Sequence, residues 1–221
     1  MATQRSVNNE VIRIVLTGDT HEKHRDLTVP PGDLLIHVGD ITNFSKRPEV
    51  IQDVNTWLGA QPHPYKVLIP GNHDFALEDP TSRGMIDNAV VLINESIEVM
   101  GLKIWGSPTT PMRDGAFGTP DDRERARIFS LIPDNTDIVI THGPPLGLLD
   151  QTMTSKEHLG CVQLLNAVCR VRPTLHVFGH VHAGHGTTTF ADILFVNASL
   201  AGPDGSLSHP PTVVDVEMPK G

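Results

Sequence analysis

Five short segments of this chain carry histidine, aspartate or asparagine directly after an apolar run. They are Thr17-Gly18-Asp19-Thr20-His21, Gly39-Asp40, Gly71-Asn72-His73-Asp74, Thr141-His142-Gly143 and Gly179-His180-Val181-His182. Imidazoles and carboxylates hold divalent cations, and imidazole also moves protons near neutral pH. Two imidazoles spaced i, i+2 past a strand end can reach one metal or two adjacent metals, because a glycine frees the backbone to turn there. Taken alone, any one of these segments reads more readily as a turn, since Gly-Asp and Gly-Asn are common turn formers. Five of them with one chemistry read as a metal site. Oxygen and imidazole donors without thiolate suit Mn, Fe, Mg or Zn.

The elements that must carry these residues are buried strands. Apolar runs at 11–16, 33–38, 66–69, 137–140 and 175–178 each stop at one of the five segments. Further strands are expected at 90–93, 97–105, 193–196 and 212–216. Helices are expected from Pro48 through Leu58, from Thr119-Pro120 to about Leu131, and from about Lys156 to Arg170. Strands separated by helical crossovers predict an α/β fold with largely parallel pairing, whose ligands bind beyond the carboxyl ends of the strands. The Gly-, Pro- and Thr-rich stretch 106–120 reads as a long functional loop.

Composition narrows the partners. The 221 residues suit one domain, with 1–9 as a loose polar lead, and the net charge of −9 argues against a surface that tracks a nucleic-acid polymer. Residues 1–10 lack an apolar leader, and no run approaches a membrane span, so a cytoplasmic protein without membrane attachment is expected. The two cysteines, Cys161 and Cys169, fit neither a zinc knuckle nor a disulfide framework and read as buried or half-buried thiols. His37, inside an apolar strand, reads as a hydrogen-bonded core histidine. The oligomeric state is open at this level.

The ordered set Asp19-x-His21, Gly39-Asp40, Gly71-Asn72-His73-Asp74, Thr141-His142-Gly143 and Gly179-His180-x-His182 resembles the calcineurin-like metallophosphoesterase superfamily. Within it, THGPPLG at 141–147, Leu175–His182 and Val196-Asn197-Ala198-Ser199 are most similar to the small metallophosphoesterase-domain proteins of the MPPED type. The resemblance implies two facing mixed sheets flanked by helices, with a dinuclear metal centre at the strand ends. It places Asp19, His21 and His182 on one ion, Asn72, His142 and His180 on the other, and Asp40 between them. His73 would face the scissile phosphate and Asp74 would orient it.

The function implied is hydrolysis of small phosphodiesters, cyclic nucleotides among them, with two divalent ions, Mn2+ first, as cofactors. Two cations about 3.5–4 Å apart clamp a phosphate and generate a bridging hydroxide. An alkoxide leaving group then needs a proton, which His73 can donate, or His73 can hydrogen-bond a phosphate oxygen without transferring one. The alternatives are a phosphomonoesterase or protein phosphatase using the same centre, or a non-catalytic scaffold; every motif position holds a competent ligand, which disfavours the scaffold. Asn43, Arg113 with Asp114, Phe117 and His185 are candidate substrate contacts. Phe117 is the only aromatic residue of the 107–118 loop, where related proteins carry more.

Overall fold

Period-two alternation of buried residues sets the layers of this fold. The computed structural model describes residues 11–202 and 204–217, so the polar lead at 1–9 lies outside the described residues. The chain begins with β1 (Val11–Thr17), β2 (Leu34–His37), α1 (Pro48–Ala60), β3 (Tyr65–Leu68), α2 (Pro80–Arg83) and β4 (Val90–Val91). It continues through β5 (Glu95–Val99), β6 (Leu102–Ser107), α3 (Asp122–Phe129), β7 (Ile138–Thr141), α4 (Val162–Val171) and β8 (Leu175–Phe178). It closes with β9 (Gly186–Phe190), β10 (Ile193–Asn197) and β11 (Thr212–Glu217).

Two mixed sheets result, ordered β11-β1-β2-β3-β4 and β5-β6-β7-β8-β10-β9. Their centres are parallel and their outer pairs β11-β1, β5-β6 and β10-β9 are antiparallel. Ile14, Leu16, Ile36 and Val67 of the first sheet pack against Ile104, Ile140, Val177 and Val196 of the second in one central cluster. The intervening positions face outward. Val15, Leu35 and Leu68 meet Ile51, Val54 and Trp57 of α1, while Val139, Phe178 and Phe195 meet Ile128, Phe129, Leu164 and Val168 of α3 and α4. The molecule is thus helix, sheet, sheet, helix in section, and the central strands β2, β7 and β8 are buried on both faces. No helix among the described residues is long and apolar enough to cross a membrane.

Four expectations change. The strand read at 97–105 is a hairpin: β5 and β6 pair antiparallel through Met100 and Gly101, both at positive φ (52° and 80°), the geometry of a two-residue primed turn. The third long helix starts at Val162, not near Lys156, and residues 147–160 form an irregular hairpin instead. Cys161 is buried but Cys169 is exposed, since the buried stripe of α4 is Leu164, Ala167, Val168 and Val171. In α3, Asp121 is the cap, accepting the backbone N–H groups of Arg123 and Glu124, so the helix proper begins at Asp122.

Candidate metal centre

The five segments meet where the parallel strands of both sheets end. The turn after β1 carries Asp19 and His21, that after β2 Asp40, that after β3 Asn72 and His73, that after β7 His142, and that after β8 His180 and His182. Asp19, His21, Asp40 and His180 all adopt left-handed backbone, with φ of 51°, 44°, 53° and 67°. Such residues cost about 1–3 kcal/mol each and persist only where the surroundings over-determine them. Here the turns are cross-tied. Asp19 N–H donates to Gly39 O and His21 N–H to Asp40 O, both at 2.9 Å, and His180 N–H donates to both Asp19 carboxylate oxygens at 3.0 Å.

Two glycines make room for the carboxylates. A Cβ on Gly71 would lie 2.2 Å from Asp40 Oδ1, and one on Gly179 would lie 2.3 Å from Asp19 Oδ2. Close approach is therefore what the glycine of each segment provides at these two positions.

Three groups bring ligand atoms within 4.8 Å of one another: Asp19 with His21 and His182, Asp40 with His142 and His180, and His21 with Asp40 and His73. His142 Nδ1 donates to Val38 O at 2.9 Å, so the second proton of the charged ring sits on Nε2, and its loss to a metal leaves a lone pair there. Nε2 faces Asn72 Oδ1 at 2.8 Å and Asp40 Oδ1 at 3.3 Å. Two oxygen acceptors thus converge on Nε2, an arrangement held by a proton on that nitrogen or by a cation in its place. His21 Nε2 and His182 Nε2 lie 3.3 Å apart, with Asp19 Oδ1 3.7 Å from the latter, which repeats the pattern in the other cluster.

The electrostatics agree. Asp19 and Asp40 are buried, and their ion pairs among the described residues are with histidine alone. Burial works to raise Asp40, but the imidazoles of His142 and His73 and the His73 backbone N–H outweigh it and hold the carboxyl well below its ordinary range. Burial likewise opposes charge on His142, yet the Asp40 and Asp19 carboxylates push it up to about 9. The pocket seeks positive charge, and the oxygen and nitrogen donors fit a pair of divalent ions.

His73 is placed differently. Its backbone N–H donates to Asp40 Oδ1 at 2.8 Å, while its ring lies 4.6 Å from that of His21 and stacks on Phe44 at 3.7 Å. Burial lowers its pKa against the pull of Asp40. Asp74 does not touch the ring. Its buried carboxylate accepts the N–H groups of Ile41, Thr42 and Gly71 and the Thr42 hydroxyl, pinning the turn of residues 71–74 to that of 40–42. The expectation that Asp74 orients His73 is thereby corrected to a backbone effect: Asp74 is a positioning residue.

The remaining candidates separate. Asn43 Oδ1 lies 3.4 Å from His73 Nδ1, and Asn43 lines the cleft over the clusters together with His21, Lys23, His73, His182, Gly202, Asp204 and Gly205. His185 lines a neighbouring depression instead, donating from Nδ1 to Ser199 O at 2.8 Å and stacking on His209 at 4.1 Å. Phe117 packs at the edge of the α1 cluster with its N–H on Glu78, not as a free stacking wall. Arg113 and Asp114 stand exposed on a loop that is itself docked, since Ala116 N–H donates to Asn72 O at 2.9 Å. The loop thus buttresses a ligand residue. Lys23 and Phe44 were not singled out from sequence; the only signal was their nearness to His21 and to the Gly39-Asp40 segment. His37 is a core histidine, buried and 3.1 Å from Thr20 Oγ1.

Residues 12–184 match the family Calcineurin-like phosphoesterase. The chain is 34% identical over 235 residues to human Metallophosphoesterase domain-containing protein 1, covering 94% of this chain and 72% of that protein. It is 35% identical over 233 residues to a UPF0046 protein of Caenorhabditis elegans, covering 95% and 83%. Among solved structures, TT1561 of Thermus thermophilus shares the fold with a TM-score of 0.60 at 12% identity, covering 95% of this chain and 100% of that one.

Proposed function

Because the chain belongs to the calcineurin-like phosphoesterase family of metal-dependent phosphoester hydrolases, we propose that it is a two-metal phosphodiesterase acting on small diesters, cyclic nucleotides first. Asp19, His21 and His182 would hold one ion and Asn72, His142 and His180 the other, with the Asp40 carboxylate available to both. Mn2+ is our first assignment, with Fe, Mg2+ and Zn2+ as the alternatives this donor set admits. When bound, such a pair supplies Lewis acidity and an activated water. The observation that carries the reading is the convergence of His142 Nε2, Asn72 Oδ1 and Asp40 Oδ1 at the strand ends, where a divalent ion can replace the proton of the imidazole.

The chain's own groups do the rest. His73 lies at the mouth of the cleft, held by its backbone bond to Asp40 and by the Phe44 stack, and gives the leaving oxygen its proton. Preference for diesters follows from the charge of the cleft. Lys23 is the one cation among its lining residues; it donates to Gly205 O and interacts with Asp204. A monoester dianion would have to share that lysine with Asp204, whereas a diester monoanion needs no further cation. The cleft opens to small molecules, and we expect neither a nucleic-acid polymer nor a membrane as partner.

The test is metal analysis after loading with each ion, paired with turnover on matched diesters and monoesters. Two equivalents of metal and a higher kcat/KM on diesters are expected. Turnover of monoesters above diesters that disappears in Lys23→Ala would overturn the substrate class and identify the residue responsible.

A further inference from the structure

In the segment 147–160 Leu148 and Leu149 pack inward, whereas Met153 and Leu159 stand 53% and 37% exposed. Both belong to the irregular hairpin 147–160, which one buried carboxylate organises. Asp150 Oδ2 accepts Gly147 N–H at 2.9 Å and Gly160 N–H at 3.1 Å, and Asp150 Oδ1 lies 2.7 Å from His158 Nδ1. Backbone bonds from Leu159 N–H to Asp150 O (3.0 Å) and from Thr152 N–H to Glu157 O (2.9 Å) close the hairpin. The two side chains are therefore presented by a tied scaffold.

That scaffold borders two residues of the metal-ligand clusters. Thr152, Met153 and Leu159 line a single depression with His180, Val181, His182 and Ala183, and the two histidines belong to the two clusters described above. The wall is apolar on this side, whereas the cleft on the His21 and His73 side carries Lys23 and Asp204. A phosphate seated at the clusters would have one polar and one apolar flank.

We propose that this depression is an apolar subsite that takes the non-leaving ester group of the substrate, an aromatic or branched alkyl substituent bedded on Met153, Leu159 and Ala183. Exposed apolar surface contiguous with a polar reaction centre is what ligand sites expose, and a thioether adapts to varied shapes. The inference rests on the phosphodiesterase reading and moves its first candidate: a diester with an apolar non-leaving group fits the site better than a cyclic nucleotide, whose non-leaving oxygen is on its own ribose, and a monoester offers nothing to fill it.

Two measurements on the full chain loaded with Mn2+ test this separately. The first is calorimetric binding of phenylphosphonate and methylphosphonate, neither of which is turned over. Wild type should bind the phenyl compound about tenfold more tightly, and Met153→Ser/Leu159→Ser should bring the ratio close to one. The second is hydrolysis of phenyl and methyl p-nitrophenyl phosphate, which share a leaving group. The phenyl-to-methyl ratio of kcat/KM should fall about tenfold in the variant, carried by KM. If the double variant loses metal, Met153→Ser alone, at the exposed tip, replaces it. An equal phosphonate ratio in wild type and variant overturns the subsite. Absence of diester turnover at full metal content overturns the reaction reading, while the phosphonate ratio still judges the subsite.

Discussion

His176 should make the fold acid-sensitive through burial alone. Its ring lies in the outer core between Phe178 and Phe195, at 5.1 and 5.6 Å. Thr141 Oγ1 donates its proton to Gly143 O at 2.8 Å, so His176 Nε2, 2.9 Å away, must be the donor to that oxygen, and buried Nδ1 is left without a partner. Burial drives the folded pKa down to about 3. The unfolded chain titrates near 6.5, so it takes up a proton that the native state refuses. The stabilisation is therefore present in full above the unfolded value and is lost as pH falls toward 3. Between pH 7 and 5 the loss is about 2 kcal/mol for this residue, from about 1.4 kcal/mol per pH unit below 6.5. The assay is urea unfolding of metal-free protein at pH 7 and 5, for wild type and His176→Leu. The substitution changes stability at both pH values, but the difference between them should shrink by about 2 kcal/mol. An unchanged pH difference would refute the argument and would mean that the ring is protonated or hydrated in the native state.

Asp40→Ala should remove both ions and all turnover together, because one carboxylate serves both clusters; metal content near wild type in that variant would sink the bridging assignment. His73→Ala should keep its metal and lose roughly 10²- to 10⁴-fold in turnover, with a smaller loss on nitrophenyl esters, whose leaving group needs no proton. Equal losses on good and poor leaving groups would leave His73 as a charge stabiliser only, and lost metal would make it a ligand. Gly71→Ala should fold but bind metal poorly, since the new Cβ meets Asp40 Oδ1 at 2.2 Å; undiminished metal affinity measured by competition with a chelating dye would contradict the close-approach argument.

The sequence by itself determined the strand ends and what they carry. Buried strands read as apolar runs, and the types of residue that follow them are local facts, so Asp19, His21, Asp40, Asn72, His142, His180 and His182 were legible, as was the α/β class. Local pattern also misled. Apolar residues run on through Met100, so a hairpin looked like one strand, although the alternation slips from Ile97 and Val99 to Leu102 and Ile104 across the two residues of positive φ. Residues 156–161 look helical until Asp150, from outside that stretch, claims the backbone of Gly160. Tertiary structure alone decided the remainder, because these contacts join residues distant in sequence or elements that pattern does not order. It set Phe44 on the face of His73, turned Asp74 to the backbone, packed the 107–118 loop beneath Asn72, and brought Met153 and Leu159 beside His180 and His182. Chain direction at a strand end is encoded locally; which strand ends share a floor, and what stands over it, depends on how two sheets close on one core.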